Sequence, residues 1–215
     1  MKKFSLIFVF TILSTILFAQ SEKFTAAMTP LVQQIGQLDT EEALTEHANK
    51  LERIGNAERE EWLPHYYYAY TQIQLALMAL QNNQGSKIGA YVDAAQKALD
   101  EAKNRTEMNS ELETMQGYIY MAKVWENPMI NGAKYSPKAS ASFEKAIAMN
   151  EKNPRPYMLK GQNLFYMPAM FGGGKEKAAP FFEKAEAHYA AFSSDDVLAP
   201  SWGAGENKYF LSQIK

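Results

Sequence analysis

Two stretches of this chain repeat the same spacing position for position: Ala139-x3-Phe143-x2-Ala146 and Ala178-x3-Phe182-x2-Ala185. Tyr91-x3-Ala95-x2-Ala98 follows the pattern more loosely. Spacings of three and four put such residues on one face of a helix. Each stretch is preceded by another helical run with a small residue near its middle, namely Ala69, Gly117 and Gly161. A small residue on one helix and an aromatic on the next lets the two pack closely. A hairpin of this kind cannot bury its own apolar stripe, so it must stack on another. The repeat therefore predicts an all-α chain, read as a right-handed array of about three to four hairpins.

The rest of the mature chain reads the same way. Asp39-x-x-Glu42 has the form of a capping box, and Leu44, Ala48, Leu51 and Ile54 follow on one face up to Gly55. A helical run from Asn56 to about Gln81 is expected to kink or restart at Pro64. Ser110-x-x-Glu113 opens a further helix that Asn127-Pro128 stops. Ser136-Pro137 has the form of an N-cap followed by proline at the first helical position. Asn153-Pro154-Arg155-Pro156 reads as a breaker before a helix from about Tyr157 to Tyr166. A helix over 175–192 and a short one over 205–214 complete the chain. Loops at 81–87, 126–136 and 167–175 fall between the helices of each hairpin and are expected to share one edge of the stack.

The N-terminus is an address. Met1-Lys2-Lys3 is a short positive region, 4–18 is almost continuously apolar, and Ala19-Gln20 gives way to polar residues. That is the layout of a secretory signal peptide, so residues 1–20 are read as a leader and 21–215 as one helical domain. A periplasmic or secreted location follows. The stretch is short for a permanent span, so cleavage near Ala19 is the preferred reading and an uncleaved anchor the alternative; either puts the folded part outside the cytoplasm. The net charge is −2, and loss of Lys2 and Lys3 leaves 20 basic against 24 acidic residues. No basic stripe points to nucleic acid. The absence of cysteine excludes disulfides, thiol nucleophiles and thiolate-bound metals.

The alanine–aromatic–alanine pattern at Ala139, Phe143, Ala146 and at Ala178, Phe182, Ala185 resembles the second helix of the tetratricopeptide repeat. That resemblance covers roughly residues 60–192 and implies a groove formed by the first helices of the hairpins. The spacing exceeds that family's 34 residues. The run Phe171-Gly172-Gly173-Gly174-Lys175 leading into Ala178 is further similar to the repeat-bearing partner subunit of periplasmic TRAP-type transport systems, which implies a ligand-holding or docking role.

Candidate binding residues come from three places. Trp62 to Tyr70 carries four tyrosines in five positions, which either fill a core or line a stacking surface. His65, Tyr67 and Tyr70 are its candidate contacts. Arg155, beside Tyr157 in a stiff proline segment, could clamp a carboxylate. Gly172, Gly173, Gly174 and Lys175 lack the pattern of a phosphate loop, but free backbone N–H groups there could hold an anion. His47, His65 and His188 stand in no metal-binding spacing, and no nucleophile, acid–base pair or cofactor motif emerges. The expected function is a non-enzymatic scaffold binding a protein or peptide of the cell envelope. The alternative is a small-molecule or transport-accessory binder using the aromatic run at 62–70. No metal or cofactor is expected.

Overall fold

A computed structural model describes residues 22–214; the proposed leader lies outside them. Nine α-helices and no strand occur among the described residues: α1 (22–34), α2 (Glu41–Ala57), α3 (Leu63–Gln81), α4 (Gly85–Lys103), α5 (Ser110–Glu126), α6 (Pro128–Met149), α7 (Pro154–Tyr166), α8 (Lys175–Ala191) and α9 (Ala204–Ile214). The fold is all-α, as the repeat predicts. Helices α3–α4, α5–α6 and α7–α8 form three successive hairpins, with α1 and α2 before them and α9 against α8.

The small-residue and aromatic positions meet across each of the last two hairpins. A methyl group added to Gly117 would collide with the Phe143 ring, and one added to Gly161 would lie 2.8 Å from Phe182. Both rings are fully buried. The glycines are there because the ring of the facing helix occupies the space of a Cβ. Alanines at 139, 146, 178 and 185 are likewise fully buried, which lets the backbones approach.

The helix boundaries differ from the sequence reading in instructive ways. Thr40, rather than Asp39, caps α2, its hydroxyl accepting from the Ala43 N–H at 3.1 Å. Gly55 lies inside α2, because the His65 ring packs 2.9 Å from where its Cβ would be. Asn109 caps α5 in place of Ser110, whose hydroxyl instead donates to the Ala146 carbonyl of the next helix. Asn127 caps α6, and Pro137 sits within that helix rather than at its start. Asn153 caps α7, so Pro154 begins the helix instead of breaking it. The long loops expected at 81–87 and 126–136 are mostly helix. Only 82–84 and Asn127 intervene, leaving 167–174 as the one long intra-hairpin connection.

Candidate functional site

The segment after α8 determines what the inner face of the hairpins can offer. Residues 192–203 leave α8 and pass over the first helices of the stack. Trp202 enters between tyrosines of α3 and α5, with its ring 4.6 Å from Tyr70 and 6.1 Å from Tyr118. Its indole N–H donates to the Tyr66 hydroxyl at 3.1 Å. The Tyr67 hydroxyl donates to the Leu198 carbonyl at 2.8 Å, and that of Tyr189 to the Trp202 carbonyl at 3.2 Å. Trp202, which follows the last hairpin in sequence, thus reaches back to the first two.

Beneath this strap lies a buried polar network. Tyr66 donates to Glu111 Oε2 at 2.9 Å, and Asn153 Nδ2 donates to Glu111 Oε1 at 2.7 Å. Arg155 Nε lies 2.9 and 3.0 Å from the two Glu111 oxygens, and its Nη2 also donates to Oε1. Burial pulls the Arg155 pKa down, but the charge and hydrogen bonds of Glu111 outweigh it, so the guanidinium stays charged. Its face lies against Phe192 and Trp202, at 5.0 and 5.8 Å.

The residues singled out in sequence are thus distributed as follows. Tyr67, Tyr70 and Arg155 come together under Trp202 and Leu198, and all three are buried. Burial pushes the phenols of Tyr66 and Tyr70 well above the ordinary tyrosine range. His65 stands apart, half-buried against Gly55, with its Nε2 unpaired. Burial, then the charge of Arg105, lowers its pKa. Tyr157 is buried with its ring 5.1 Å from His188. In the glycine loop the backbone donors are turned inward: Gly172 N–H to Ala169, Gly173 N–H to Pro168 and Gly174 N–H to the Leu164 carbonyl. Gly172 and Gly174 adopt positive φ (86° and 113°), and Gly173 has no room for a Cβ beside the Met167 carbonyl. Lys175 Nζ donates to the Gln213 carbonyl at 2.7 Å, 5.5 Å above the Phe165 ring.

The surface that no chain element covers lies elsewhere. Among the described residues, the most exposed large apolar side chains are Met129 (95%), Met170 (83%), Ile130 (72%), Tyr166 (70%) and Phe171 (67%). All five stand where the α5–α6 and α7–α8 hairpins turn. Around the second turn the rings cluster. Phe165 lies 5.1 Å from Tyr166 and 5.3 Å from Phe210, and Phe210 lies 5.3 Å from exposed Tyr209. Phe210 in turn stacks on Phe182 at 5.1 Å, so the cluster is rooted in the core. An exposed apolar patch fixed to a rigid base is the kind of surface that marks a binding site. Sequence reasoning read Phe171 only with its glycines and passed over Tyr166, Met170 and Tyr209; an aromatic and a methionine beside a glycine turn were the available signal. An open cleft of about 570 Å³ also lies between α1 and α2, with Leu31 and Ile54 on its walls and Lys50 and Arg53 at its rim.

Fold and surface together define a class: an all-helical hairpin protein whose inner face is filled by its own chain and whose hairpin edge bears uncovered aromatic rings. No family model matches the chain. No curated protein matches it either. Among solved structures it is similar to the HusA haemophore from Porphyromonas gingivalis, at 30% identity and a TM-score of 0.78, covering 89% of this chain and 92% of that one. At that identity and coverage the chain belongs to the same family as that haemophore.

Proposed function

We propose that this protein is a non-enzymatic, secreted binder of haem or a closely related tetrapyrrole, carried as cargo on the aromatic edge of the α7–α8 hairpin. The observation that carries the reading is the ring cluster of Phe165, Tyr166, Tyr209 and Phe210, with exposed Phe171 in the same hairpin's turn, in a chain so similar to a haemophore over nearly its whole length. A tetrapyrrole is a broad apolar π-system with carboxylates on its rim. Ring faces suit the first feature, and the Lys175 ammonium beside Phe165 suits the second. The peptide reading of the inner groove is less favoured, because residues 192–203 occupy that face. The alanine–aromatic packing of the hairpins supports a tetratricopeptide-like lineage for the scaffold, and the N-terminal leader supports export.

Stacking carries this binding rather than iron ligation. Burial, then neighbouring Tyr209, raises the Tyr166 phenol above its ordinary pKa. His47 is enclosed, with Nε2 on the Leu31 carbonyl and Nδ1 on the Thr71 hydroxyl. Titration with haemin and with metal-free protoporphyrin IX, followed by absorbance and tryptophan quenching, tests the reading. Both are expected to bind with Kd values within about tenfold of each other. Tyr166→Ala with Phe171→Ala should weaken both by about tenfold or more while leaving helicity unchanged. Binding that survives this pair but is lost in Lys50→Glu with Arg53→Glu would move the cargo to the α1–α2 cleft.

A further inference from the structure

The turn of the α5–α6 hairpin is built differently from the aromatic edge. Met129 and Ile130, in the first turn of α6, are the first and third most exposed large apolar side chains among the described residues. Ile130, Lys134 and Lys138 follow at intervals of four, close to one line along the helix. Tyr135 stacks on Tyr120 at 6.1 Å, and three ammonium groups surround the pair. Lys134 lies 4.8 Å and Lys138 5.7 Å from the Tyr135 ring, with Lys123 at 5.8 Å. Lys134 and Lys138 have no carboxylate partner among the described residues; Lys123 makes a 3.6 Å pair with Asp93. The Glu126 carboxylate at the end of α5 lies beside Gly89 of α4.

We propose that this turn docks the protein on an anionic lipid surface, with Met129 and Ile130 entering the acyl boundary and the lysines meeting headgroup phosphates. The distances along the helix fit that use. At 1.5 Å per residue, Lys134 stands about 6 Å above Ile130, Tyr135 about 7.5 Å and Lys138 about 12 Å. Interfacial segments bury their apolar parts about 5–10 Å into the headgroup boundary, with tyrosine and lysine at headgroup level. An end-on helix therefore meets the layers of a bilayer in order: apolar tip, then Lys134 and the tyrosine pair at one level, then Lys138. Charge complementarity selects anionic lipid, since the exposed cations near the tip have no internal anion to satisfy them.

The test uses the full chain with vesicles of phosphatidylcholine, alone and mixed with phosphatidylglycerol, sedimented at low and high salt. The apolar leader, where retained, contributes equally to every variant. Met129→Asp with Ile130→Asp should lower binding to the mixed vesicles at least tenfold. Lys134→Glu with Lys138→Glu should lower it about fivefold per lysine and flatten the salt dependence. An Ile130→Trp variant should shift its emission to the blue with mixed vesicles and not with neutral ones. These side chains are exposed, so helicity and tetrapyrrole titration should stay unchanged, which separates this proposal from the cargo reading. Mixed-vesicle binding unchanged in the aspartate pair, or no emission shift, would overturn it.

Discussion

Replacing Glu111 with alanine tests whether the network under the strap joins the three hairpins. Glu111 accepts from Arg155, Asn153 and Tyr66, which lie on α7, its N-cap and α3. Tyr66 also receives the Trp202 indole of the strap. With the carboxylate gone, Arg155 would remain charged at 2% exposure with its partner lost, and Tyr66 would lose its acceptor. Breaking a buried pair by deleting one partner costs about 3–5 kcal/mol, because the surviving charge has no water to return to. For a domain of this size each kcal/mol moves Tm by about 2–4 °C, so a fall of about 6–20 °C is expected. Urea unfolding followed by circular dichroism gives the free energy, and Trp202 emission reports the strap. Arg155→Met combined with Glu111→Leu removes both charges and should recover most of the loss. A Glu111→Ala protein within 1 kcal/mol of wild type would refute the reasoning, as would a double variant no better than the single one.

Gly117→Ala and Gly161→Ala should each destabilise by about 1–3 kcal/mol, since the new methyl meets Phe143 or Phe182 in a packed joint. Combining Gly161→Ala with Phe182→Leu should return part of that loss in urea unfolding, and no recovery would argue against the steric cause. Stability should fall as the medium is acidified through about pH 6.5, the value of an unfolded histidine. Burial lowers the folded pKa of His47, and of His65 likewise, so the unfolded chain binds more protons in that window. The contribution is complete above pH about 6.5 and is lost as pH falls toward the folded values. His47→Gln should reduce the slope of the urea midpoint between about pH 7.5 and 5; an unchanged slope would show that His47 is not responsible.

Sequence and structure agree most closely where the determining interactions are local or recur. The alternation of small and aromatic positions at 117 and 143, and at 161 and 182, marked both the hairpins and the glycines that a facing ring requires. Helix ends were less legible because neighbouring polar residues compete to cap: Thr40 displaced Asp39, and Asn109 displaced Ser110 once the serine hydroxyl found the Ala146 carbonyl. Pro137 looked like a helix start because proline suits the first turn, yet the chain had already entered α6 at Pro128 under the Asn127 cap.

By itself the sequence determined an all-helical chain of stacked hairpins and the joints that hold each hairpin closed, since these follow from helical period and from side-chain size at fixed spacing. Which face would be open was decided only by the tertiary structure. The tyrosines at 66, 67 and 70 carry the same pattern whether they line a groove or fill a core. What buries them is Leu198 and Trp202, more than 120 residues along the chain. The aromatic edge at 165, 166, 171 and 209 is likewise assembled from α7, the glycine turn and α9, and its exposure depends on what fails to pack over it. Contacts between distant segments are set by the shape of the whole stack, and no local spacing encodes them.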